Sequence, residues 1–94
     1  MNAQEAKKLA ETTIIINAKT NDLMFNITHQ IKLTALNGNS YFEYKTDFDE
    51  SAYEDFSSVN YRVLNKTLDN LYKLGYSTDI ELVNNCYVIN ISWE

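Results

Sequence analysis

The sequence offers one histidine and one cysteine as candidates for acid–base or nucleophilic chemistry, His29 and Cys86. No carboxylate lies one helical turn from His29, and no second cysteine or neighbouring base accompanies Cys86. A catalytic nucleophile needs an adjacent base or cation, and a metal site needs several ligands at a fixed spacing. We therefore expect no catalytic residue, no metal site and no cofactor, and we expect that the protein is not an enzyme.

Carboxylates are concentrated between Glu43 and Asp55, where six acidic residues face a single lysine. The spacing lacks the glycine and the final glutamate of a calcium-binding loop. Aromatic residues interleave the charges, a mixture that is typical of protein interfaces. The segment 43–56 is therefore either a solvated acidic loop or a docking surface for a protein with a basic surface. The expected contact residues are Tyr41, Phe48, Asp49, Glu50, Tyr53, Glu54, Asp55 and Phe56.

A second candidate site consists of three cations in the region predicted to form the second helix. Arg62, Lys66 and Lys73 recur at helical spacing near one side. Together with some of the seven tyrosines, they could frame a pocket for a small anionic nucleotide. Sequestration of such a ligand is therefore an alternative to protein docking.

Length and charge restrict the domain organisation and the partners. The 94 residues support one domain, 1–94, because a second would be too small to bury a core. A net charge of −5 with a single arginine argues against direct nucleic-acid binding, which depends on clustered Lys and Arg. The apolar runs are too short to cross a membrane, and no secretory signal begins the chain, so we expect a cytoplasmic protein.

The hydrophobic periodicity predicts an α+β domain with the order helix, strand, helix, strand, strand. A long first helix at 3–37 would measure about 50 Å, which predicts an overhang, a kink, or a break between Asn17 and Asp22. A hairpin turn is expected at Asn84-Asn85, because asparagine tolerates positive φ. We expect a three-stranded sheet with the last strand in the middle and both helices on one face. The other predicted elements are a strand at 40–48, a helix from Ser57 or Ser58 to Leu74, and strands at 78–83 and 86–93.

The first helix carries two apolar faces instead of the one that a surface helix needs. The expected core face consists of Leu9, Thr13, Ile16, Leu23, Met24, Ile27 and Ile31. The opposite face consists of Ile14, Ala18, Phe25, Leu33 and Leu36. Because monomers seldom expose such a patch, we expect a two-fold homodimer through antiparallel first helices, with Phe25 as its anchor.

The layout of the chain resembles that of small accessory proteins encoded by bacteriophages. The features are an opening Asn-Ala-Gln-Glu-Ala-Lys-Lys-Leu-Ala helix, a helix that closes on Leu74-Gly75-Tyr76, and a final hairpin that ends in Ile91-Ser92-Trp93-Glu94. The Asn- and Ile-rich, Arg-poor composition is similar to that of proteins from AT-rich phage genomes. The resemblance implies a protein of the infected host's cytoplasm that inhibits or redirects a host protein, including defence components, by occlusion. The alternatives it leaves are an oligomeric sponge for a nucleotide immune signal and a minor virion component.

Overall fold

The computed structural model describes residues 1–49 and 58–93. The fold is α+β, as predicted, with a three-stranded antiparallel sheet in which β3 lies between β1 and β2. In chain order the elements are α1 (Ala3–Leu36), β1 (Tyr41–Asp49), α2 (Val59–Lys73), β2 (Ser77–Val83) and β3 (Cys86–Ser92).

Both helices begin and end at residues that satisfy their terminal backbone groups. The Asn2 side chain accepts a hydrogen bond of 2.8 Å from the Glu5 N–H, and Ser58 caps α2 in the same way through Tyr61. At the end of α2, Gly75 adopts a φ of 96° and the Tyr76 N–H donates to the Leu71 carbonyl at 3.1 Å. This is a Schellman arrangement, and the helix closes on Leu74-Gly75-Tyr76 as expected from the sequence.

Helix α1 is continuous, so the break expected between Asn17 and Asp22 is wrong and the overhang is the option that the structure adopts. The molecule is 53 Å long but only 26 Å and 17 Å in its other dimensions. The first buried residue of α1 is Ile16, and the turns before it project beyond the core. Leu9 and Thr13 lie on this projecting part and are exposed, which corrects their assignment to the core.

The core lies between the two helices and one face of the sheet. Opposite Ile91 of β3 lie Phe42 of β1 and Thr78 of β2, and the next inward row is Tyr44, Ile89 and Ile80. The β2–β3 hairpin turns at Asn84 and Asn85, both with positive φ, as predicted. The buried cluster comprises Ile27, Ile31, Leu64, Leu71, Ile89 and Ile91. Neither helix of the described residues is long and apolar enough to span a membrane.

Candidate functional site

The sheet presents a second face that points away from both helices, here called the outer sheet face. Because side chains alternate along a strand, the strand register fixes which residues share this face. The six residues contributed by the edge strands β1 and β2 are all exposed. The face consists of three rows across β1, β3 and β2: Tyr41–Ser92–Ser77, Glu43–Asn90–Asp79 and Lys45–Val88–Glu81.

The charges of the outer sheet face are predominantly negative. Glu43 and Asp79 flank Asn90 in one row, and Glu81 lies in the next row across from Lys45. Neighbouring strands lie about 4.8 Å apart, so charges on the two edge strands are about 10 Å from each other. That distance is close to the screening length at physiological salt, so the carboxylates interact only weakly with one another across the sheet. Glu43, Asp79 and Glu81 outnumber Lys45, and the outer sheet face is therefore negatively charged as a whole.

A hydrogen-bond network holds the aromatic residue of this face in place. The Tyr41 hydroxyl donates to the Glu43 carboxylate and lies 3.3 Å from Oδ1 of Asn90. Nδ2 of Asn90 in turn donates to Glu81 at 3.4 Å. The hydrogen bond to Glu43, together with desolvation and the charges of Glu43 and Glu81, raises the pKa of Tyr41 to about 12. The hydrogen bonds of its hydroxyl therefore orient the exposed Tyr41 side chain on the outer sheet face.

A shallow cleft of about 160 Å³ opens beside Tyr41 on the same face. Pockets for small-molecule ligands are usually about 300–1,000 Å³, so this cleft is closer in size to a single protein side chain. Asp79 and Asn90 contribute polar groups to its wall, and Ser77 and Ser92 contribute hydroxyls. The cleft therefore offers acceptors to a long cationic side chain.

The structure separates the residues that the sequence predicted as one contact segment. Tyr41 lies on the outer sheet face, whereas Phe48 is half-buried and packs against the core cluster. Asp49 is exposed at the end of β1, opposite Cys86. The remaining predicted contacts lie outside the described residues: Glu50, Tyr53, Glu54, Asp55 and Phe56.

Sequence reasoning missed Asp79 and Glu81 as members of the acidic surface. They lie about 25 residues beyond the end of the acidic segment and come next to it only because β3 pairs with both β1 and β2. The alternation of acidic and apolar residues at 79–82 was the available signal, because it indicates a strand with one solvent-facing side.

The three cations of the alternative site lie along one side of α2, and two of them have partners within the fold. Nζ of Lys66 donates to the Asn17 side chain on α1. Lys73 forms an exposed ion pair of 2.8 Å with Asp69, one turn earlier. Arg62 is half-buried. Lys66 therefore joins the two helices and Lys73 pairs along the surface of α2, and the described structure does not gather the three cations around one cavity.

The histidine and the cysteine lie in different layers of the molecule. His29 is on the solvent side of α1, where its ring stacks on Phe25 with centroids 6.5 Å apart. Cys86 is an exposed free thiol at the start of β3. Within the residues that the structure describes, no group of three or more His, Cys, Asp or Glu side chains could hold a metal ion.

The second apolar face of α1 is exposed, as its position opposite the core face predicted. Phe25 and Leu36 are each 73% exposed, and Ile14 is 67% exposed. The opposite side of α1 packs into the core, which lies against the inner face of the sheet. The second apolar face of α1 and the outer sheet face therefore point away from each other.

The sequence matches no family model, and neither a curated protein nor a solved structure matches it.

Proposed function

We propose that this chain is a non-enzymatic binding protein that covers a basic surface of another protein with its outer sheet face. The observation that carries the proposal is the placement of three carboxylates from two strands around an exposed, hydrogen-bonded tyrosine. The resemblance to bacteriophage accessory proteins makes a host protein the expected partner, inhibited or redirected by occlusion.

The chemistry of the face fits a partner rich in lysine or arginine. A negative patch on a chain of charge −5 steers a basic surface during encounter and raises the association rate. Tyr41 adds a large amphipathic ring, which is the kind of residue that dominates interface energies. Because Glu43 and Asn90 already hold the ring, little side-chain entropy is lost when a partner binds.

The test compares capture of proteins from a bacterial lysate by three forms of the immobilised protein. The variant Glu43→Gln/Glu81→Gln neutralises the outer sheet face. The control Glu11→Gln/Asp69→Asn makes the same charge change on the helices. We expect the parent and the control to retain basic proteins at low salt. The variant Glu43→Gln/Glu81→Gln should not retain them.

Quantitative binding of one captured protein then separates electrostatic steering from other contributions. Its association rate should fall steeply with added salt, because exposed charges are screened. Equal retention by both double variants would refute the proposal. A rise in melting temperature with a nucleotide, abolished by Arg62→Gln, would instead support the ligand-sequestering alternative.

A further inference from the structure

The solvent side of α1 carries a self-complementary series of residues, here called the outer helix face. Its members recur every three or four residues, as the side of a helix that faces a second helix requires. Two of them, Phe25 and Leu36, are each 73% exposed. The outer helix face consists of Ile15, Ala18, Asp22, Phe25, His29, Leu33 and Leu36.

The order of these residues is symmetric about the midpoint between Phe25 and Asn26. When a second copy of α1 runs antiparallel across that midpoint, Ile15 lies opposite Leu36 and Ala18 lies opposite Leu33. The first pair is apolar on both sides, and the second matches a small side chain with a large one. Asp22 lies opposite His29, so that an imidazole N–H can donate to a carboxylate. Each layer therefore combines complementary side chains.

The lateral positions of the side chains support the same register. On a helical wheel at ~100° per residue, Ile15 and Leu33 lean to one side of the outer helix face. Ala18 and Leu36 lean to the other side. In an antiparallel pair, the two side chains of a layer fill it when they lean to opposite sides. Both apolar layers, Ile15 with Leu36 and Ala18 with Leu33, meet this condition. A parallel pair would instead place Asp22 against Asp22 and His29 against His29.

The Phe25 and His29 rings contact each other at the centre of the outer helix face. Their rings are one helical turn apart, nearly parallel at 5°, with centroids 6.5 Å apart. The stack orients the imidazole along the outer helix face before any partner arrives. Phe25 itself lies beside the symmetry midpoint, where the two copies of the ring approach each other.

We propose that the protein forms a two-fold homodimer through antiparallel α1 helices in this register, with an Asp22–His29 pair on each side of the two Phe25 rings. The closed symmetry buries both outer helix faces in one contact. The inference does not depend on the function proposed for the outer sheet face, which stays exposed in the dimer.

Disulfide cross-linking tests the register in a Cys86→Ser background. Residues 18 and 33 are about 22 Å apart along one helix, whereas a disulfide needs Cα atoms within about 7 Å. The variant Ala18→Cys/Leu33→Cys should therefore give a two-chain species on mild oxidation. Ala18→Cys alone is the matched control and should give none. A cross-link in the single variant would show parallel pairing, and a ladder of larger species would show an open assembly; either result overturns the proposal.

Light scattering and charge exchange provide a readout that does not depend on cysteine. The parent should be a dimer at micromolar concentration, and Phe25→Asp should be a monomer, because the dimer would bury two unpaired carboxylates. His29→Glu places a carboxylate opposite Asp22 in two copies and should weaken association at least about tenfold. Adding Asp22→Lys to His29→Glu should restore the dimer affinity to within about threefold of the parent's.

The two remaining outcomes contradict the proposal. A monomeric parent would mean that the outer helix face receives another protein or stays exposed. A dimer that tolerates both Phe25→Asp and His29→Glu would place the interface elsewhere. Far-UV circular dichroism checks that each variant keeps the parent's helix content. We expect it to be kept, because the substituted side chains of α1 are exposed.

Discussion

Replacing Ile91 with alanine provides the most direct measurement of how the sheet is held to the helices. Ile91 lies on the central strand, is 0% exposed, and belongs to the cluster that joins both helices to β3. The substitution removes three carbon atoms at about 0.8 kcal/mol each, or roughly 2.5 kcal/mol of transfer free energy. The cavity left between packed neighbours adds to this loss, so we expect about 3–4 kcal/mol in all.

Urea unfolding followed by tryptophan emission suits this measurement. Trp93 is the single tryptophan, packs against the core cluster, and meets the Tyr76 ring edge-on at 6.2 Å. With a slope of about 1 kcal/mol per molar urea, the expected loss lowers the midpoint by about 3 M. A domain of this size has about 5–10 kcal/mol of stability, so Ile91→Ala should keep only about 1–7 kcal/mol and unfold at a much lower urea concentration than the parent.

Ile14→Ala is the matched control, because the same atoms are removed from a side chain that is 67% exposed. Its free energy of unfolding should change by less than about 0.5 kcal/mol. Leu68→Ala should lose about 2 kcal/mol, because Leu68 packs against the core but is only half-buried. A loss below about 1 kcal/mol for Ile91→Ala would refute the packing described above.

Three further measurements address the helix cap, the hairpin and the outer sheet face. Ser58→Ala should cost about 1 kcal/mol in chemical unfolding, because the Tyr61 N–H loses its acceptor, and an unchanged midpoint would contradict the cap. Asn85→Val should cost about 1–2 kcal/mol, because a β-branched residue resists the φ of 65°, whereas Asn85→Gly should not destabilise. The ultraviolet titration of Tyr41, obtained as the difference between the parent and Tyr41→Phe, should show a pKa of about 12 that falls towards 10 in Glu43→Gln. Because folding raises this pKa, the stability from the Tyr41–Glu43 bond should be present below pH 10 and disappear as the pH rises from about 10 to 12.

The ends of the elements could be predicted from sequence because they depend on local residues. Gly75 and Asn84-Asn85 adopt the positive φ values that their types permit, and Ser58 occupies a position where its hydroxyl reaches the first turn. The last strand is the most apolar of the three, which correctly indicated its central place, because a strand flanked on both sides buries more of its side chains.

The continuity of α1 could not be predicted, because tertiary contacts compensate for its weak helix formers. Thr20 is buried, and its hydroxyl donates to the Ile16 carbonyl at 2.7 Å, so the polar group is satisfied inside the helix. Asn17 accepts a hydrogen bond from Lys66 on α2. The burial of Thr20 and the contact of Asn17 with Lys66, 49 residues away, cannot be identified from neighbouring residues, and local propensity alone therefore favoured a break.

The acidic surface was incompletely predicted for a related reason. A run of carboxylates within one segment is visible in the sequence, but pairing across a sheet joins residues that are distant along the chain. Asp79 and Glu81 reach the surface of Glu43 only through the register of β3 with both neighbours. The apolar face of α1 was easier to predict, since it lies within one helix and depends on helical periodicity alone.

The two proposed surfaces lie on opposite sides of the molecule, and this arrangement has a consequence for binding strength. A dimer through the outer helix faces would display two outer sheet faces. Once one of them had bound a partner with repeated basic surfaces, the other would bind a neighbouring basic surface at a high effective concentration. The monomeric variant Phe25→Asp should then keep its affinity for a single basic site in solution and lose affinity for a dense immobilised layer of the same partner. Glu43→Gln/Glu81→Gln should weaken both measurements and leave the dimer intact. Loss of single-site affinity in Phe25→Asp would show that the two surfaces are not independent.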